Sequence, residues 1–194
     1  MSKTRALGII PIMFVSGLFI ACSSPQMFTM FEPIDAAEDV HLRSQLAKYL
    51  IENAYGHPVQ VLSDTAEAAP IVFREGKVDF SFVPVTTEKT KAGMEIISKK
   101  NEQFTVSAKK DFNDNFPEVM KLLEQIKITE DQFDDVTGWK AAAKAGWEAS
   151  AMYFLQSNKV VWDKWFSIGD SQHVGSALNA RIKELSTAGI NFDL

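Results

Sequence analysis

The stretch Leu46–Thr65, LAKYLIENAYGHPVQVLSDT, decides the fold. An apolar helix runs into Gly56, Pro58 prevents any continuation, and Val59 and Val61 alternate with Gln60 as strand residues do. Reading upstream, the helix begins near Ala37 and carries Val40, Ala47, Leu50, Ile51 and Ala54 at helical spacing, with Leu42, Leu46 and Tyr49 widening the apolar face. Before it, Met27–Phe31 reads as a first strand and Glu32-Pro33-Ile34-Asp35 as the loop at its carboxyl end. Reading downstream, Asp64 and Glu67 have capping-box spacing, but Pro70 inside a helix started there would cost about 3 kcal/mol. The regular part of the second helix is therefore placed from Pro70 to Glu75, stopped by Gly76, with a third strand over Lys77–Phe82. Gly56 and Gly76 are both expected at positive φ. The order βαβαβ over 27–83 predicts an α/β fold, a mostly parallel sheet with flanking helices.

The whole chain has 194 residues, 46% hydrophobic and 23% charged, enough to bury one core. Its net charge of −5 argues against a nucleic-acid partner, which calls for clustered Lys and Arg. Lys99-Lys100 and Lys109-Lys110 are isolated pairs. With a single cysteine, Cys22, the sequence predicts no intrachain disulfide and no cysteine-based metal site.

The position of that cysteine carries more information than its number. Lys3 and Arg5 precede an apolar run from Ala6 to Ile20, which reads as a secretory signal over residues 1–21. Phe19-Ile20-Ala21-Cys22 resembles a bacterial lipobox, with Phe19 where Leu is preferred. The resemblance implies acylation of Cys22, a membrane attachment through N-terminal lipid, and a location in the bacterial cell envelope facing the periplasm or exterior. Cleavage nearby by the ordinary signal peptidase is the alternative. Residues 22–26 then form a short tether.

Further along, Asn115, Pro117 and Glu118 open a helix bearing Val119, Leu122, Leu123 and Ile126, and Thr129 with Gln132 has capping-box spacing. Trp139, Ala143, Trp147, Ala151 and Phe154 or Leu155 form one stripe, expected to be core on a single helix after Gly138. Trp162 and Trp165 read as a short packing helix. After a break at Ser167–Asp170, Val174, Leu178, Ile182 and Leu185 mark a final amphipathic helix, so that 27–166 is read as an α/β lobe and 167–194 as a C-terminal helix and tail.

AYGHPVQVLSDTAEAAPIV and REGKVDFSFVP within Leu46–Val83, followed by the Thr-Val, Phe-Pro-Glu and Thr-Glu-Asp segments of Phe104–Phe166, resemble the glycine betaine and proline type of ABC-transporter substrate-binding proteins. That resemblance implies a single lobe of a periplasmic-binding-protein-like fold, a small organic solute as ligand, and ABC permease and ATPase subunits as partners. The family is bilobal, but only Thr86–Gln103 separates the Gly76-Lys77-Val78-Asp79 strand from the returning strand. A second lobe needs at least roughly 50 residues. A short bypass is expected instead, with a hairpin from Met94 to Ile97 turning through Lys99-Lys100-Asn101. Pro84, Val85 and Thr86 stand where the family carries a tryptophan of its ligand cage.

Ligands of open α/β sheets sit beyond the carboxyl ends of the strands. The candidate ligand-binding residues are therefore Phe31 and Glu32 after the first strand and Phe82 and Thr86 after the third, with Asp35 and Thr87 beside them. For Phe82 and Phe80 the competing reading is sheet-face core. Asp79 is expected to cap or pair within the fold. The dispersed His41, His57 and His173 make no metal-ligand spacing, no nucleophile or phosphate-loop motif is present, and the run from Asp111 lacks the glycine and glutamate of a calcium loop. The expectation is a binding protein with no cofactor and no catalysis: a lipid-anchored component of an uptake system for quaternary amines or a related solute. The alternative is an orphan envelope lipoprotein acting through protein contacts.

Overall fold

The structure is a computed structural model that describes residues 25–83, 96–100, 103–166 and 168–193. The signal segment, Cys22 with the first residues of the tether, and Thr86 and Thr87 lie outside the described residues. Strand β1 (Phe28–Pro33) leads through helix α1 (Glu38–Ala54) to β2 (Val59–Asp64), and a 3-10 turn at Ala66–Ala68 precedes α2 (Ala69–Arg74) and the short β3 (Phe80–Ser81). A hairpin of β4 (Ile96–Lys100) and β5 (Thr105–Lys109) completes the sheet. Helices α3 (Lys110–Asn115), α4 (Pro117–Gln125), α5 (Glu130–Ala143), α6 (Trp147–Ser157), α7 (Lys159–Trp162) and α8 (Ile168–Thr187) follow. No described helix is long and apolar enough to cross a membrane.

The five strands lie in the order β2-β1-β3-β5-β4. β1 pairs in parallel with β2 and β3, while β5 runs antiparallel to both β3 and β4. The expected mostly parallel sheet is thus a mixed one. The physical reason is the connection: the two βαβ crossovers keep the first three strands parallel, whereas a tight hairpin between β4 and β5 can only join antiparallel neighbours. The expected hairpin exists, but its first strand runs through Lys99 and Lys100, which pair with Val106 and Thr105 instead of turning.

Both glycine stops behave as expected, each at φ 71°. At Gly76 the amides of Gly76 and Lys77 return to the carbonyls of Phe73 and Val72 at 3.0 Å, closing α2 before the chain enters the sheet. A Cβ at that φ is strained, so Gly→Ala is costly there. Pro70 stands in the first turn of α2, where it forfeits no hydrogen bond.

The sheet divides two unequal cores. On one face Phe28, Met30, Phe80, Phe82, Val106 and Ala108 pack with Leu42, Leu46, Leu50 and Ile51 of α1 and with the helices of the second half. On the other, Phe31 joins Ala69, Val72, Phe73 and Val78 under α2. The capping box of α5 forms between Thr129 and Gln132. The single stripe expected across Trp139–Leu155 is two helices: Lys144 takes φ 50°, and the amides of Lys144 and Ala145 return to the carbonyls of Ala141 and Lys140. A left-handed lysine ends α5 where the apolar spacing continued unbroken. The run Asp111–Asn115 lies within α3. Val174 and Leu178 of α8 are buried in the main core, so the C-terminal helix is integral to the lobe.

Candidate functional site

β1 is the point at which the sheet's winding reverses. The chain leaves β1 for β2 on one side, then crosses to β3 on the other, and in open α/β sheets such a reversal marks the crevice at the carboxyl ends of the two strands. β5, antiparallel to β3, starts at the same end and brings Gln103 and Phe104 there.

Strand alternation separates the two candidates of β1. Phe31 points to the α2 face and is fully buried against Phe73, so it is core and does not reach the crevice. Glu32 points to the α1 face, is nearly buried, and accepts a hydrogen bond from Nδ1 of His41. His41 stacks against Trp147 with ring centroids 6.0 Å apart, and Lys140 Nζ lies 4.0 Å from the centre of that indole. Lys140 also faces Glu38 at 3.4 Å. Glu32 is therefore held inside a packed polar chain that ties β1 to α1, α5 and α6.

Phe82 is 3% exposed and meets Phe104 edge-on, with centroids 5.5 Å apart. It belongs to the main core, in agreement with the sheet-face reading. Asp79 pairs within the fold: its carboxylate accepts from the Thr29 amide at 2.8 Å and from Lys109 Nζ at 2.9 Å. Asp35 accepts from the Ala66 amide at 3.1 Å and orders the loop over β2.

A buried charged group at this end of the sheet is Arg43, which periodicity alone conceals because it occupies an apolar position of α1. Arg43 is 4% exposed. Its guanidinium carbon lies 4.6 Å from the centre of the Phe104 ring, and Nη1 donates to Asp39 at 3.3 Å. Its Nε is buried and has no hydrogen-bond partner. Burial lowers the pKa of the guanidinium, and Asp39 only partly offsets this. The side chain opens on a pocket of about 300 Å³ lined also by Asp39, Gln103, Ile128, Thr129, Glu130 and Phe133. Gln103 accepts from the Ile128 amide at 3.1 Å, fixing one wall.

Two other pockets offer less chemistry. A pocket of about 500 Å³ between α6, α7 and α8 has Lys159 in its lining, but that ammonium already binds both oxygens of Asp163, at 2.8 and 2.7 Å, and faces Trp162. Another, of about 380 Å³, lies at the far end of α1, and its Tyr55 phenol is pushed up to about 12 by burial and by Asp170 and Glu118. Neither contains a buried charge with an unused donor. Among the described residues no group of three potential metal ligands is present.

The pocket draws on α1, the residue Gln103 leading into β5, the α4–α5 connection and α5. Of the ligand-binding residues expected from sequence that the structure describes, none lines it: Phe31 and Phe82 are core, and Glu32 lies on the other flank of α1. A buried arginine within an apolar helix stripe was the signal that could have found Arg43. The chain matches no protein-family model and no curated protein.

Proposed function

We propose that the protein is a small-solute-binding component of an ABC-type uptake system, built as a single periplasmic-binding-protein-like lobe and held to the membrane by lipid on Cys22. The observation that carries the reading is Arg43: a buried, incompletely paired guanidinium facing a pocket at the carboxyl ends of β1 and β3. A buried charge without its hydrogen bonds is costly, and a fold that retains one at a switch-point crevice has the makings of a ligand anchor. The path of β5, which returns beside β3 after a short bypass, supports the single-lobe form. Such a lobe delivers its solute to a permease energised by an ATPase, both supplied by other chains.

Two measurements test this. A thermal-shift screen of the full chain in detergent against small metabolites should find a ligand that raises the melting temperature by several degrees at 100 times its Kd, since such occupancy stabilises the fold by about 2.7 kcal/mol. The same shift should vanish in Arg43→Met. Expression in bacteria fed labelled palmitate should label the intact protein but not Cys22→Ala, because stable anchoring takes more than one acyl chain. A protein that carries the label, shows no ligand shift and is bound tightly to another envelope protein instead favours the alternative of an orphan envelope lipoprotein acting through contacts, and a soluble, unlabelled protein overturns the lipid anchor of both readings.

A further inference from the structure

Resting on that reading, we propose that the ligand is a small amino acid whose carboxylate binds Arg43 and whose protonated amine, carrying its own N–H donors, binds the carboxylates of Asp39 and Glu130. A guanidinium has five donors in a planar fork suited to two parallel hydrogen bonds with a carboxylate. In Arg43 one donor goes to Asp39 at 3.3 Å. Nε is unused but fully buried, so the ligand carboxylate meets the terminal N–H groups of the fork. That accounts for the anionic half of the ligand.

The rest of the pocket carries the opposite charge. Asp39, with a side chain 39% exposed, and exposed Glu130 stand on the rim of the cavity that Arg43 opens on. An acid with no amine, or a dicarboxylate, brings negative charge against both of them. An amine with no carboxylate leaves Arg43 as it is. A zwitterion satisfies both signs and enters without net charge.

The form of the cation follows from the rings. A quaternary ammonium has no N–H to donate and depends on aromatic faces. Arg43 already covers a face of Phe104, and Phe82 meets that ring edge-on at 66°. Among the described residues Phe133 is the one ring of the lining, and one ring does not make a cage. The cavity of about 300 Å³ stands at the lower end of the range for small-molecule sites, which favours a ligand of few heavy atoms.

The test is titration calorimetry on the full chain in detergent, using a series matched in carbon skeleton: alanine, β-alanine and 4-aminobutyrate; propionate and butyrate; propylamine; succinate; and glycine betaine. One of the amino acids should bind at least tenfold more tightly than its bare acid, the amine, succinate or betaine. Asp39→Asn, a change at a partly exposed position, should erase the preference for that amino acid over its bare acid. Arg43→Lys, which keeps the charge but loses the fork, should weaken amino acid and acid alike by tenfold or more. Betaine or a bare acid binding as tightly as every amino acid overturns the inference while leaving a solute-binding pocket in place. Absence of heat with the whole series, together with a blank metabolite screen, overturns the binding function with it.

Discussion

The two flanks of α1 bury charge in contrasting ways. On one, Glu32 meets His41, His41 stacks on Trp147, and Lys140 covers the same indole and faces Glu38. On the other, Arg43 has a single long hydrogen bond and an aromatic face. The first cluster satisfies its charges within the protein, and so works as a tie between sheet and helices. The second leaves a guanidinium incompletely paired beside a cavity. A carboxylate expected in a ligand loop lies instead within the last residues of β1 and is structural, and an arginine that looks like an interruption of an apolar stripe is the candidate anchor.

Breaking the closed flank should have the largest effect on stability. Glu32→Ala removes one partner of a nearly buried pair and leaves His41 against Trp147 without its acceptor; hydrogen bonds to charged groups contribute about 1.5–3 kcal/mol. The expected loss is about 2 kcal/mol, a fall in melting temperature of roughly 4–8 °C for a protein of this size. A drop below about 1 °C would make this flank no more structural than the other.

Arg43→Met sharpens the contrast from the opposite side. Replacing a buried, poorly paired charge with an apolar side chain of similar length is commonly neutral or stabilising. Stability in urea should therefore change by no more than about 1 kcal/mol, towards greater stability, while ligand binding is lost. A cost of 3 kcal/mol would show that Arg43 holds the fold and would remove the functional distinction between the flanks.

The smallest effect belongs to Tyr49, whose buried hydroxyl likewise has no partner. Burial pushes its phenol from the ordinary 10.0 up to about 12, with the Arg181 charge acting the other way. The folded state therefore keeps a proton that the unfolded chain loses near pH 10. The stabilisation is full below pH 10 and disappears as pH rises from 10 to 12. Tyr49→Phe should be neutral or stabilising by up to about 1 kcal/mol at pH 7. It should also flatten part of the alkaline decline, with Tyr55, raised to about 12 as well, responsible for the remainder. Melting curves of both proteins between pH 8 and 12 measure this.

What the sequence determined by itself is local. Gly56 and Gly76 stop their helices, Pro70 starts one, and Thr129 caps another through Gln132, because each of these depends on φ preferences or on groups within five residues of one another. The βαβαβ order and the main core of α1 were legible for the same reason, through repeats of two and of three to four residues. Where local signals compete, the reading failed: Lys144 adopts a left-handed conformation that its side chain does not announce, and one apparent helix is two. Only the tertiary structure decided the sense of β5, the burial of Phe31 away from Glu32, and the meeting of Arg43 with Phe104, Gln103 and the α4–α5 connection. Those contacts join segments that are distant in sequence, and no spacing within one segment specifies which distant side chain comes to face it.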